Sequence, residues 1–201
     1  MIRHVLLDAD GVLQRHPDGW VQAAEAYVGD RAPAFFAEVS GQERACLTGQ
    51  VDFVPLLADA LDRYEVTAPV QEVYAAVWLR IVTVPTTVDL VGDLRDHGVD
   101  VHLATNQQVD RAAYMRRELG YDDLFGESFY SCDVGAAKPE PAFFRAALDR
   151  IGAPAPEVLF VDDHSANVDG AREVGLAAEQ WHLDEGPDVL RDRLAAYGLL
   201  L

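Results

Sequence analysis

The sequence predicts an α/β fold: a doubly wound parallel sheet with a small α-helical domain inserted after the first strand. Three observations carry this expectation. Short, β-prone apolar runs alternate with helical patterns through residues 85–201, the signature of a parallel sheet wrapped by helices. Glycines close the helical patterns, as residues free to turn left-handed do at helix ends. The stretch 14–84 breaks the alternation, because it has helical periodicity and no convincing strand.

Taken in order, the first buried strand is His4-Val5-Leu6-Leu7. Helices are then expected over Trp20 to Tyr27, Ala34 to Val39, Phe53 to Tyr64 and Val70 to Leu79, where apolar residues recur at three and four. The alternating part follows. Its strands are expected at Val99 to Leu103, Ser128 to Ser131, Val158 to Val161 and Ala178 to Leu183. Its helices are expected at Thr86 to His97, Val109 to Leu119, Pro141 to Ile151, Ala166 to Val174 and Pro187 to Tyr197, with Gly98, Gly120, Gly152, Gly175 and Gly198 after them. The domains that result are a core of residues 1–13 and 85–201 and a helical cap of residues 14–84.

Composition narrows the partners. The 201 residues carry 34 acids against 16 lysines and arginines, a formal charge of −18. Such a surface repels nucleic-acid phosphates and anionic lipid, so neither nucleic acid nor membrane is an expected partner. The N-terminal apolar run is too short for a signal peptide, and no segment approaches a membrane span. Only Cys46 and Cys132 are present, without metal-binding or disulfide spacing, which fits a cytoplasmic location. The apolar end Leu199-Leu200-Leu201 packs either on the core or on a second copy, so monomer and homodimer both remain open.

An acidic chain that binds an anion needs a local cation. Lys138 is the single lysine, in Gly135-Ala136-Ala137-Lys138-Pro139-Glu140-Pro141. A compact ammonium on a flexible stem suits a narrow pocket for small-anion oxygens better than a planar guanidinium does. The carboxyl ends of parallel strands are where such sheets build their sites. Here they carry Asp8-Ala9-Asp10-Gly11, Thr105-Asn106 and Asp162-Asp163. Each has an ordinary use as helix cap, turn or strand end. Their joint occurrence at successive strand ends is harder to obtain by accident. Carboxylates about 4 Å apart repel by several kcal/mol at an intermediate dielectric, so such a cluster stays ionised only around a cation. Oxygen donors without a histidine cluster suit Mg2+ rather than zinc, with Asp8 and Asp163 as side-chain ligands and the Asp10 carbonyl as a third.

These stretches resemble the four motifs of the haloacid dehalogenase (HAD) superfamily. The matches are His4-Val5-Leu6-Leu7-Asp8-Ala9-Asp10-Gly11-Val12-Leu13, Leu103-Ala104-Thr105-Asn106, Lys138-Pro139-Glu140-Pro141 and Phe160-Val161-Asp162-Asp163-His164-Ser165-Ala166-Asn167, in the superfamily's order. The Asp-Asp-x-x-x-Asn form of the last is similar to the branch holding sugar-phosphate phosphatases and the phosphatase domain of soluble epoxide hydrolases. The resemblance implies a Rossmann-like core, a helical cap and Mg2+-dependent hydrolysis of a small phosphorylated metabolite. It implies that Asp8 is the nucleophile and Asp10 the acid and base. Thr105, the Asn106 amide and Lys138 would hold phosphoryl oxygens. Asp8, Asp10 and Asp163 would hold the metal, and Asp162 would do so directly or through water. An aspartate at position 10 favours phosphoryl transfer over dehalogenation, since departing halide needs no proton. A phosphomutase using the same nucleophile and an inactive binding module are the alternatives. In the cap, Trp20, Phe35, Phe36, Tyr74 and Trp78 are expected in its core. One or two of these could face substrate instead, as could Arg44, Thr48 or Gly49.

Overall fold

The computed structural model describes residues 1–199. Five parallel strands form the central sheet in the order β5-β4-β1-β6-β7: β1 (His4–Leu7), β4 (Asp100–Thr105), β5 (Ser128–Tyr130), β6 (Val158–Asp162) and β7 (Ala177–Gln180). Leu7 lies level with Leu103 on one side and Val161 on the other. Asp8, Ala104 and Asp162 therefore come next in register along one edge.

The strands read as apolar runs because both faces are covered. Side chains alternate between two cores. Val5, Leu7, Val101, Leu103, Leu159 and Val161 enter one, and Leu6, Ala104, Phe160 and Ala178 enter the other. Helices α6 (Pro85–Asp96), α7 (Val109–Leu119) and α12 (Pro187–Ala196) supply the first with Leu90, Met115 and Leu194. Helices α10 (Pro141–Ile151) and α11 (Ser165–Glu173) supply the second with Phe143, Phe144 and Val168. Two single-turn helices, α8 (Tyr121–Leu124) and α9 (Ser131–Val134), flank β5; the chain turns helical at Ser131, where strand was expected to continue. Strand β7 ends at Gln180, short of the expected Leu183. The amide of Trp181 still bonds the Asp162 carbonyl at 3.0 Å, after which the chain enters a 3-10 turn.

The segment between β1 and β4 packs a third, separate core from Ala24, Phe35, Phe53, Leu57, Tyr74 and Trp78. Its helices are α1 (Trp20–Val28), α2 (Ala32–Gln42), α3 (Arg44–Leu47), α4 (Phe53–Arg63) and α5 (Val70–Val77). It also holds strands where none was expected. Strands β2 (Gln14–Arg15) and β3 (Val82–Thr83) pair antiparallel where the chain leaves and rejoins the sheet. Two residues per strand give no period-two pattern, and the pairing joins positions far apart in sequence. Neither feature shows in a local window.

Leu199 is buried in the first core; Leu200 and Leu201 lie outside the described residues. Among the described residues no helix is long and apolar enough to cross a membrane.

At the amino end of the sheet, His102 of β4 is 5% exposed and stacks on His4 of β1, with ring nitrogens 3.3 Å apart. Burial, helped by the neighbouring His4, pushes the His102 imidazole down from 6.5 to about 4. Between those two values an unfolded chain takes up a proton that the folded one refuses. Stability should therefore fall as pH drops through this window and level off below it. The shift corresponds to about 3 kcal/mol, and partial solvent screening reduces it to ~2 kcal/mol. Urea unfolding at pH 7 and pH 5 is expected to show about half of this loss in wild type and a flatter response in His102→Phe.

Candidate active site

Strand ends bring the acidic residues together. Asp8 follows β1, Asp162 ends β6, Asp163 follows it, and Lys138 reaches in from the loop between α9 and α10. The Lys138 ammonium lies 2.7 Å from Asp8 Oδ1 and 2.6 Å from Asp162 Oδ2, with both carboxylates buried. Asp8, Asp162 and Asp163 each offer an oxygen within 4.8 Å of the others.

The surroundings assign these groups different freedom. Asp162 accepts hydrogen bonds from the His164 amide at 2.8 Å and from Asn167 Nδ2 at 3.0 Å to each oxygen, in addition to Lys138. Its lone pairs are largely committed. Asp163 Oδ1 is buried and has no hydrogen-bond partner among the described residues. An unpaired buried carboxylate oxygen is costly, so this atom is poised to take a ligand. Gly11 explains how it fits: a Cβ there would stand 2.6 Å from the Asp163 carboxylate, and the backbone has φ +80°. Only glycine meets both demands.

Asn106 has a role the sequence did not suggest. Its Nδ2 donates to the Lys138 carbonyl and its Oδ1 accepts from the Lys138 amide, both at 2.9 Å. The side chain thus clamps the lysine loop, and Asn106 also lines the cavity. The Thr105 hydroxyl is buried and accepts from Gln107 Nε2 at 2.9 Å.

Asp10 lines the same cavity, but its carboxylate turns away from the cluster. Arg111 of α7 grips it with two nitrogens, at 2.5 and 2.8 Å, and Gln14 and Gln107 each donate to it at 2.9 Å. The buried Arg111 also donates to the Trp78 carbonyl at 2.8 Å and lies over the Trp20 ring at 4.8 Å, so it touches both ends of the inserted segment.

Electrostatics follow from these contacts. Burial pushes the Asp8 carboxyl up to about 8; the Asp162 and Asp10 charges add to that, and Lys138 opposes it. Burial also raises Asp163, again reinforced by Asp162. For Asp10 burial is overcome by Arg111, and the carboxyl is held below its ordinary value. Lys138 is held above its ordinary value because Asp162 and Asp8 outweigh its burial.

A protein-family model described as a haloacid dehalogenase-like hydrolase matches residues 2–175. The chain belongs to this family. Over 88 residues, 43% of this chain and 44% of the relative, it is 36% identical to a sesquiterpene phosphatase of Aspergillus oryzae. Over 117 residues, 53% of this chain and 50% of the relative, it is 32% identical to a phosphoglycolate phosphatase of Pectobacterium atrosepticum. The chain spans about half the length of these curated relatives. A HAD family enzyme of Bacteroides thetaiotaomicron, solved with magnesium and inorganic phosphate, shares the fold at TM-score 0.70 and 20% identity, covering 90% of this chain and 94% of that one.

In this HAD chain the cavity over Asp8 has a volume of about 880 Å³. Trp20, Phe36 and Trp78 line it, whereas Phe35 and Tyr74 pack in the inserted segment's core. Arg44, Thr48 and Gly49 do not line it. Arg44 pairs with Glu140, the Thr48 hydroxyl bonds the Arg44 and Ala45 carbonyls at 3.3 Å, and Gly49 sits so close to the Cys132 carbonyl that a Cβ would lie 2.3 Å from it. Their neighbours Glu43 and Leu47 line the cavity instead. The helical phase of α2 and α3 decides which residues of that stretch look inward.

Arg111 and its glutamines escaped the sequence reading. The available signal was slight: an arginine beside Ala112 and Met115, the buried stripe of α7. Arg111→Met should destabilise the protein by roughly 2–3 kcal/mol in urea unfolding. That is below the 3–5 typical of a broken buried pair, because Asp10 is 30% exposed and keeps its two glutamine donors.

Proposed function

We propose that this HAD hydrolase is a Mg2+-dependent phosphatase that cleaves a small phosphate monoester through an aspartyl phosphate on Asp8. One observation carries the reading: Asp8, Lys138 and Asp163, the last with an unpartnered Oδ1, line one cavity. A carboxylate can attack an anionic phosphoryl group only where positive charge gathers around both. The donors present fit a hard, oxygen-seeking ion. Asp8, Asp163 and the Asp10 carbonyl would hold Mg2+, and Asp162, its oxygens already engaged, would act through water. Bound there, the ion neutralises charge on the phosphoryl oxygens and favours the ionised form of Asp8.

An Asp8 oxygen forms the new bond to phosphorus while the bond from phosphorus to the leaving oxygen breaks. Lys138 and Thr105 hold the phosphoryl oxygens during transfer. Asp10 gives a proton to the departing alkoxide, then takes one from the water that cleaves the acyl phosphate, which returns Asp8 as carboxylate and releases phosphate. The Arg111 fork keeps Asp10 ionised, which suits the second task. The first requires Asp10 to swing off the fork and take up a proton from solvent before it meets the leaving oxygen. Residues 14–84 serve as the cap over a catalytic core of residues 1–13 and 85–201, closing the leaving-group side of the cavity and excluding water.

Two related HAD proteins named as phosphatases support the reading. So does Asp10, since a dehalogenase has no leaving group to protonate. The test is phosphate release from a panel of small phosphorylated metabolites. Activity should require added Mg2+ and vanish with EDTA. Isomerised sugar phosphate without free phosphate would point to a mutase instead, and no reaction with any phosphate in Mg2+ would contradict the assignment.

A further inference from the structure

The leaving-group side of the cavity has a definite chemistry. The inserted helices present Trp20, Phe36, Leu47 and Trp78 to it, with the Phe36 and Trp78 rings 5.8 Å apart in one continuous wall. Within that wall stands a carboxylate, Glu43, half-buried between α2 and α3; Asp18 also lines the cavity but is exposed and paired with Arg80 at 2.5 Å. Gln108, at the start of α7, donates to Glu43 at 3.3 Å and in turn accepts from the Tyr74 hydroxyl at 3.4 Å. Glu43 is therefore positioned by core and insert together.

Cations are scarce on this side. Lys138 is committed to Asp8 and Asp162, and Arg111 to Asp10. Among the described residues the other lysine or arginine lining the cavity is Arg15, which is exposed on the β2 ribbon and not part of the aromatic wall. A second anionic group on the substrate would meet Glu43 and apolar rings without a buried counter-charge. Like charge against a desolvated carboxylate is a strong rejecting device. The volume of about 880 Å³ lies toward the upper end of the usual 300–1,000 Å³ for ligand cavities, so a leaving group well beyond a two-carbon fragment fits.

We infer that the substrate is the phosphate ester of a largely apolar alcohol that carries no second anionic group, and that Glu43 excludes leaving groups bearing a carboxylate or second phosphate. This rests on the phosphatase reading and goes beyond it by naming the leaving group. Burial holds the Glu43 carboxyl above its ordinary value, as expected of an acid set among rings.

The experiment compares three esters of primary alcohols, so that leaving-group reactivity stays similar: 2-phenylethyl phosphate, 2-hydroxyethyl phosphate and 2-phosphoglycolate. The wild-type enzyme with Mg2+ should give kcat/KM at least about tenfold higher for 2-phenylethyl phosphate than for phosphoglycolate. Glu43→Gln should shrink the discrimination against phosphoglycolate. Phe36→Ala should shrink the preference for the phenylethyl over the hydroxyethyl ester. Both are ratios within one variant, so losses of folded protein cancel. Phosphoglycolate turned over as fast as the phenylethyl ester, or ratios unchanged in both variants, would overturn the inference while leaving the phosphatase intact. Release from other phosphates of the panel but from none of these three would also overturn it, and release from no phosphate at all removes the phosphatase reading and this inference with it.

Discussion

Asp8→Asn is expected to lose at least about 10⁴-fold in turnover of a chromogenic aryl phosphate, and to be more stable than wild type when metal is absent. The first effect follows from removing the attacking oxygen, since single losses of a nucleophile cost on this scale or more. The second follows from burial. With its carboxyl raised from 3.8 to about 8, folded Asp8 keeps a proton that the unfolded chain releases as pH rises through that interval. Wild-type stability therefore drains away between about pH 4 and pH 8, and the asparagine variant is spared. The gap should grow with pH to roughly 2–5 kcal/mol in EDTA, the range expected for a buried charge lacking full compensation. Urea unfolding at pH 5 and pH 8 reads it directly. Added Mg2+ should narrow the gap, because wild type offers the ion one more carboxylate. Mg2+-dependent turnover surviving in Asp8→Asn would remove Asp8 from the role of nucleophile.

Lys138→Met should be nearly as damaging to activity and far worse for stability. The ammonium is fully buried between Asp8 and Asp162, 2.7 and 2.6 Å away. Without it the buried Asp162 carboxylate, and Asp8 whenever it is ionised, lose their counter-charge, at a cost of roughly 3–5 kcal/mol. Activity should fall by at least about 10³-fold, since in the proposed reaction the same ammonium steadies the phosphoryl oxygens. Lys138→Arg should not restore it, because a planar guanidinium does not fit a gap shaped for one nitrogen. Combining Lys138→Met with Asp8→Asn should return part of the lost stability, so the two changes would fail to add in a double-mutant cycle. Strict additivity would mean that the lysine does not compensate Asp8 in the folded protein.

The strand-end residues were legible because their placement is local. An apolar run of four or five residues sets the strand, and the next residue must lie at the sheet's carboxyl edge. Asp8, Thr105, Asp162 and Asp163 follow from this, and Lys138 follows from being the single ammonium. The Asn106 clamp on the lysine loop was hidden because its partner lies 32 positions away. Arg111 was hidden for a different reason: an arginine on a helix is ordinarily a solvated face residue, and nothing nearby in sequence shows that 101 positions earlier a carboxylate awaits it. Within the inserted helices, periodicity located Trp20, Phe36 and Trp78 but could not fix their phase. It therefore pointed to Arg44, Thr48 and Gly49 where the fold turns Glu43 and Leu47 inward.

By itself the chain determined the α/β architecture, the helical insertion and the acidic edge, because hydrophobic period, turn residues and strand-to-loop order act over a few neighbouring positions. Only the tertiary structure decided that Asp10 is gripped by a buried arginine, that Asp163 keeps a bare oxygen, and that a carboxylate stands among the rings of the cavity wall. Those outcomes depend on packing between residues distant in sequence, where burial and unlike charge select partners that no local pattern specifies.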